Sequence, residues 1–197
     1  MSRTAVILLS GGIDSTVLLG ELLVEGIQCS PLFVDYGQRA ASRELVAAER
    51  ISKHYNAPLS RIALSSFGDM FRNMLTDSKS SDPVFPARNM LLLTIASQIA
   101  YERHLDAVAI GIIRGPAYPD CDRPFLEAAE SALSKALRRR IPILAPFTDI
   151  NKIEVALLGR ALKAPLKDTY SCFIGGTSHC GKCPSCIDRR IAMRVGK

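Results

Sequence analysis

Apolar and polar residues fall along this chain in blocks of two different periods. Residues 4–9 form an almost unbroken apolar run that stops at Ser10-Gly11-Gly12. So short a run, closed by glycines, predicts a buried strand and a tight turn. From 15 to 25 the apolar positions recur at helical spacing, and Gly26 is a stop signal. The alternation then repeats. Residues 29–34 predict a second strand, 40–54 a helix ending before Asn56-Ala57-Pro58, and 59–64 a short third strand. Residues 65–86 are polar, rich in Ser and Asp, and aperiodic; a mobile loop over a site is expected there. Residues 87–102 predict a helix, 107–111 a fourth strand, 114–124 a Gly/Pro-rich loop, 125–137 a helix and 141–144 a fifth strand. A last helix is expected from Asn151, at capping-box spacing from Glu154, to about 162, before Pro165. Strands alternating with helices imply an α/β fold: a doubly wound, mostly parallel five-stranded sheet covered on both faces. Ligands of such sheets gather at the carboxyl ends of the strands, where the Ser10 turn lies.

Length and composition narrow this picture. With 197 residues, 48% of them hydrophobic, the chain fits one domain with a small appendage. No apolar run approaches the roughly 20 residues of a membrane span. Residues 5–9 are too short for a signal-peptide core. A soluble cytoplasmic protein with no membrane partner is expected. The formal charge of +6 permits a nucleic-acid partner without requiring one. The densest basic run, Arg138-Arg139-Arg140, falls at the predicted end of a helix, where cations oppose the dipole, so nucleic acid is not the expected partner.

The first strand–turn–helix carries candidate chemistry. Gly11 and Gly12 allow positive φ and a close backbone approach to a ligand. The first turn of the following helix directs free N–H groups and the positive dipole end into the turn. A phosphate suits that place, with Ser10 and Ser15 as hydroxyl donors. Asp14 would repel a bare phosphate, so its expected task is to hold a Mg²⁺ that rides on the phosphates. The Lys-Ser/Thr of the Walker A loop is missing, and the dinucleotide fingerprint Gly-x-Gly-x-x-Gly is absent.

Cys172, Cys180, Cys183 and Cys186 form the second signal, spaced x7, x2 and x2, with Gly175-Gly176, Gly181 and Pro184 around them. Four thiolates at this spacing suit tetrahedral Zn²⁺, and four protein ligands leave no open position, so a structural site is expected. It would tie down a tail too short to build its own core. Disulfides and an iron–sulfur cluster are the alternatives. His179 lies between ligands and is taken as a bystander.

Four further stretches fall at predicted loop or helix starts. Asp35-Tyr36-Gly37-Gln38-Arg39 follows the second strand, and Arg39 can meet a carboxylate or phosphate there. Arg88, followed by Asn89, opens a helix, where a cation is disfavoured by the dipole and a bound anion would explain it; Lys152 repeats the pattern. Asp120, after Tyr118-Pro119 and before Cys121, is placed for Mg²⁺ or a substrate N–H. Each also has a plain reading as surface charge or turn-shaping residue.

Ser-Gly-Gly-x-Asp-Ser after a strand resembles the pyrophosphate loop of the N-type ATP pyrophosphatase superfamily, whose members split ATP between the α and β phosphates. Ser10 to Thr16, Asp35 to Arg39, Pro86 to Asn89, Tyr118 to Cys121, Asn151-Lys152-x-Glu154 and the four-cysteine tail occur in one order. Together they resemble the 7-cyano-7-deazaguanine synthase family over nearly the whole chain. The resemblance implies an adenine nucleotide alpha hydrolase-like (HUP) fold, with an ATP pyrophosphatase domain at 1–164 and a zinc segment at 165–197. It implies an ATP site formed by Leu9, Ser10, Gly11, Gly12, Ile13, Asp14, Ser15, Thr16, Arg39, Arg88 and Asn89. Catalytic roles are implied for Asp14, Arg88, Asp120 and Lys152, with ATP, Mg²⁺ and Zn²⁺ as cofactors. The substrates would be 7-carboxy-7-deazaguanine and ammonia, joined in a C–N ligase reaction that ends in a nitrile; a homodimer is left open. The sequence departs from the family pattern at Asp122-Arg123-Pro124 and at Tyr170, where family members frequently carry Trp. An adenylating enzyme for another carboxylate or for tRNA, and a non-catalytic nucleotide sensor, are the alternatives.

Overall fold

The computed structural model describes residues 3–71, 73–80, 85–115 and 118–195. The elements run β1 (Thr4–Leu8), α1 (Ile13–Val24), β2 (Gln28–Asp35), α2 (Ala41–His54), β3 (Ser60–Ala63), α3 (Ser65–Gly68), α4 (Arg88–Glu102), β4 (Ala107–Ala109), α5 (Arg123–Ala136), β5 (Ile143–Leu144), α6 (Lys152–Ala161), a 3₁₀ turn (Leu166–Asp168) and α7 (Pro184–Arg194). The five strands form one sheet in the order β3-β2-β1-β4-β5, and every pairing is parallel. Ala5 of β1 lies between Cys29 of β2 and Ala107 of β4.

The central strand is apolar from Ala5 onward because both its faces are covered. Successive side chains point to opposite faces. Ala5, Ile7 and Leu9 join Val17, Leu18, Ile51, Val155 and Ala156, from α1, α2 and α6. Val6 and Leu8 join Leu93, Ala96, Ala100, Leu126 and Leu133, from α4 and α5. The strand order reverses between β1 and β4, and the cleft opens at that switch point.

Five helices end in the same way. After α1 the residue with positive φ is Gly26; after α2, α4, α5 and α6 it is Asn56, His104, Arg138 and Lys163. In each, the next residue's N–H bonds a carbonyl five positions back, as from Ile27 to Leu22 and from Leu105 to Ala100. These are Schellman endings.

The structure departs from the sequence expectation in several places. α1 begins at Ile13, not 15, because Gly12 is its N-cap. Residues 65–86 are not featureless: α3 is followed by turns, and Tyr36, Phe67, Phe71, Leu75 and Phe85 pack together. Part of that expected loop (residue 72 and 81–84) and Pro116 and Ala117 of the 114–124 loop lie outside the described residues. β4 and β5 are shorter than expected. α7 was not anticipated. Arg139 does oppose a dipole, but that of α4: its guanidinium donates to the Tyr101 and Leu105 carbonyls. The expected boundary at 164/165 falls just after α6, yet Leu166 and Ala192 beyond it share the apolar cluster of α1.

Candidate active site and metal centre

The Ser10 turn joins β1 to α1 at the sheet's carboxyl edge. Gly11 has φ +77, and a Cβ there would lie 2.5 Å from the Glu44 carbonyl oxygen. Only glycine fits between this turn and α2. The first intrahelical bond runs from Thr16 N to Gly12 O at 3.1 Å, so the N–H groups of Ile13, Asp14 and Ser15 lie ahead of the helical ladder. Ser10 and Ser15 hydroxyls share a 3.2 Å hydrogen bond. Thr16 is buried and donates to Gly12 O at 2.7 Å, which makes it part of the turn's frame. Gly111, just past β4, lets α1 come close: a Cβ there would lie 3.0 Å from Ser15 N.

Lys152 reaches this turn from the start of α6. Asn151 caps that helix in a full capping box with Glu154, as its spacing predicted. Lys152 Nζ lies 2.8 and 2.6 Å from the two carboxylate oxygens of Asp14. Both side chains are 23% exposed, so the pair sits in the cleft and not on the open surface.

A cavity of about 560 Å³ opens over the turn. Its walls include Leu9, Ser10, Gly12, Ile13, Asp14, Ser15, Arg88, Asn89 and Lys152 of the residues singled out in the sequence. Four others do not line it, Gly11 among them because it packs against α2. Arg39 lies outside the wall, and its backbone N–H donates to Leu75 O. Thr16 lies beneath the turn. Asp120 caps α4, accepting from Asn89 N at 2.9 Å, while Asn89 Nδ2 donates to Asp120 O at 2.8 Å. That helix starts from Ala87 in the left-handed region without a side-chain cap of its own, so Asp120 supplies the missing acceptor.

Arg88 enters the cavity beside the Tyr36 hydroxyl. Burial opposes its charge, but Tyr36, Asp120 and Cys121 together hold it above the ordinary value. Cys121 is pushed up to about 11 by burial and by Asp120. It remains a thiol at neutral pH and is no ready nucleophile. Glu44 lines the cavity as well; burial pushes its carboxyl up to about 7, although Gln38 and Arg88 pull the other way. Glu44 had no signal in the sequence beyond its position in the first turn of a predicted helix. Gln38, in the turn between β2 and α2, is buried.

The tail completes the wall with Tyr170, Ser171, Phe173, Ser185 and Asp188. Tyr170 N donates to Gly11 O at 2.9 Å, and its hydroxyl donates to Gly176 O at 2.8 Å. Gly175 has φ +77, and a Cβ there would strike Arg39 O at 2.2 Å. Cys172, Cys180, Cys183 and Cys186 bring their sulfurs within 4.8 Å of one another. Cys180 and Cys186 Sγ are 3.8 Å apart, about the edge of a tetrahedron with metal–sulfur bonds of about 2.3 Å. Backbone N–H groups of Lys182 and Cys183 pull the Cys180 thiol down to about 6, while burial pushes Cys183 and Cys186 up. A bound cation reverses that burial effect. The donor set therefore fits a closed four-thiolate metal site. His179 stays outside it: Nε2 accepts from Ser171 N at 3.2 Å and the ring packs on Tyr170.

Residues 4–195 match the model of the family described as queuosine biosynthesis protein QueC. The chain belongs to that family. It is 36% identical over 208 residues to a 7-cyano-7-deazaguanine synthase of Desulfitobacterium hafniense, covering 99% of this chain and 94% of that one. It is 37% identical over 203 residues to a synthase of the same name from Picrophilus torridus, covering 94% and 84%. Among solved structures it resembles the U34-tRNA thiolase NcsA of Methanococcus maripaludis, with a TM-score of 0.58 at 19% identity over 97% of this chain and 64% of that one. It also resembles an NMN synthetase of Francisella tularensis, with a TM-score of 0.59 at 18% identity over 90% and 70%. These two likenesses concern the fold. The family membership makes the protein an enzyme of the synthase type. No helix among the described residues is long and apolar enough to cross a membrane.

Proposed function

We propose that this protein is an ATP-dependent C–N ligase that converts 7-carboxy-7-deazaguanine and ammonia to 7-cyano-7-deazaguanine. The supporting observation is a cavity over the Ser10–Ser15 turn in a chain matched end to end by synthases of that name. In this reading the substrate carboxylate attacks the α-phosphate of ATP, and pyrophosphate departs into the turn. The N–H groups at the start of α1 and the hydroxyls of Ser10 and Ser15 receive it. Lys152 is placed to stabilise the charge that develops on the phosphates, since a triphosphate competes with Asp14 for its ammonium. Asp14 would then hold a Mg²⁺, which neutralises phosphate charge. Arg88 orients the carboxylate. Asn89 and Asp120 support Arg88 by fixing the start of α4. Ammonia displaces AMP to give an amide; a second ATP activates the amide oxygen, and loss of AMP leaves the nitrile. Each activation is an oxygen nucleophile meeting the same phosphorus, so one site serves both. Residues 1–164 form the adenylating unit, and 165–197 form a metal-held wall.

Incubation with ATP, ammonium and 7-carboxy-7-deazaguanine, followed by mass spectrometry, tests the proposal. The nitrile, AMP and pyrophosphate are expected from the wild type, and nearly none from Asp14→Asn. No pyrophosphate release by the folded wild type would refute it.

A further inference from the structure

Three carboxylates line the cavity among the described residues: Asp14, Glu44 and Asp188. Asp14 is engaged by Lys152. Asp188 is exposed on α7. Glu44 is held differently. Its Oε2 accepts from Gln38 Nε2 at 3.0 Å. Gln38 is buried and fixed in turn: Oε1 accepts from Tyr36 N at 2.9 Å, and Nε2 also reaches Val34 O at 3.4 Å. Two of that amide's bonds fix it to the backbone at the end of β2, and the third holds one oxygen of a carboxylate whose residue lines the cavity. Glu44 Oε1 has no hydrogen-bond partner among the described residues. The backbone of Glu44 packs on Gly11, and its residue lines the same cavity as the turn that would take the phosphates.

The ligase reading, on which this inference rests, has a requirement that none of the expected site residues meets. Ammonia exists in neutral water mainly as ammonium, which has no lone pair. Something must bind that cation and remove a proton before nitrogen can attack. Arg88 and Lys152 have the wrong charge for this, and Cys121 is a protonated thiol. The geometry points to Glu44 as the ammonium-binding residue and proton acceptor of the site, with Gln38 as its positioning residue. Ammonium gives one proton to the Glu44 carboxylate. The freed lone pair forms the C–N bond at the acyl carbon of the adenylate. The C–O bond to AMP breaks, and AMP leaves with its electron pair. The second nitrogen proton passes to the departing phosphate oxygen, so atoms and charge balance. A carboxyl that titrates near neutral pH suits a base that must accept and release a proton in each cycle.

Glu44→Gln tests this, since its amide oxygen can still accept from Gln38. Hydroxylamine is the discriminating probe: it is neutral at pH 7 and needs no base before attack. Ammonium-dependent turnover should fall about a hundredfold or more, and hydroxamate formation should stay within about threefold of wild type. A loss of both would make Glu44 a residue for ATP or carboxylate and overturn the inference; so would wild-type turnover with ammonium. If Glu44→Gln does not fold, Glu44→Asp keeps the charge but withdraws it by one methylene. It should raise the KM for ammonium and leave hydroxamate formation alone; an unchanged KM would overturn the inference. Absence of pyrophosphate release by the wild type would instead refute the ligase reading beneath it.

Discussion

The Glu44 carboxyl is pushed from its ordinary value of 4.5 to about 7 chiefly by burial, with Asp35 adding to the rise and Gln38 and Arg88 opposing it. The folded protein therefore binds this proton more tightly than the unfolded chain does. The stability it contributes is complete below about pH 4.5 and is lost as pH rises through about 7. Glu44→Gln cannot lose the proton. It should be more stable than wild type by about 1–3 kcal/mol at pH 8 and nearly equal to it at about pH 4, in urea unfolding at the two pH values. Greater stability with lost ammonium chemistry would mark a residue kept for function. At this scale the sequence exposed one half of the cavity well. Asp14 and Lys152 were legible because a glycine turn and a helix start restrict what a charge there can do. Glu44 and Gln38 were not, because an ordinary helix surface and a buried carboxylate look alike until the fold places α2 against the turn. Asp120 was visible as a loop acid, but its partner lies 31 positions away in α4.

Helix endings show the same limit among the elements. Gly26 and Asn56, the latter followed by Pro58, announce the ends of α1 and α2, whereas His104, Arg138 and Lys163 hold the same left-handed position without announcing it. A non-glycine residue there carries roughly 1–2 kcal/mol of backbone strain. His104 and Lys163 lie at turns away from the cavity wall. His104→Gly and Lys163→Gly should each raise stability by about 0.5–1 kcal/mol, read as a higher urea midpoint at constant slope. The Asn151 capping box was legible because its signal is local. α7 was hidden for the opposite reason. It begins inside the cysteine cluster, with Cys183 as N-cap and Pro184 at its first turn, and its apolar positions are too few to stand out. What organises it is the metal set and the contact of Ala192 with the core, neither of which is periodic in the sequence.

For the molecule as a whole, the tail's attachment explains how a metal held behind the cavity wall can matter to the chemistry. The cavity is a switch-point cleft closed on one side by the chain from Tyr170 to Asp188. That stretch is pinned at Gly11 by Tyr170 and at the 39–40 turn by Gly175, and α7 continues past it to a bond between Arg160 of α6 and the Met193 carbonyl. Four sulfurs join its two ends. One Zn²⁺ per chain is expected, and its removal by a chelator should loosen α7, lower helical content in circular dichroism and weaken ATP binding together. Four protein ligands leave no position for water or substrate, so the metal's influence should travel only through the wall it holds. Lost activity after removal cannot separate that role from coordination of substrate. Cobalt substitution can, since the visible absorption of Co²⁺ reports its ligands directly. A four-thiolate cobalt spectrum that ATP, ammonium and the carboxylate leave unchanged is the expected result. A substrate-dependent change of spectrum in the folded, loaded protein would show an open coordination position and overturn the structural role.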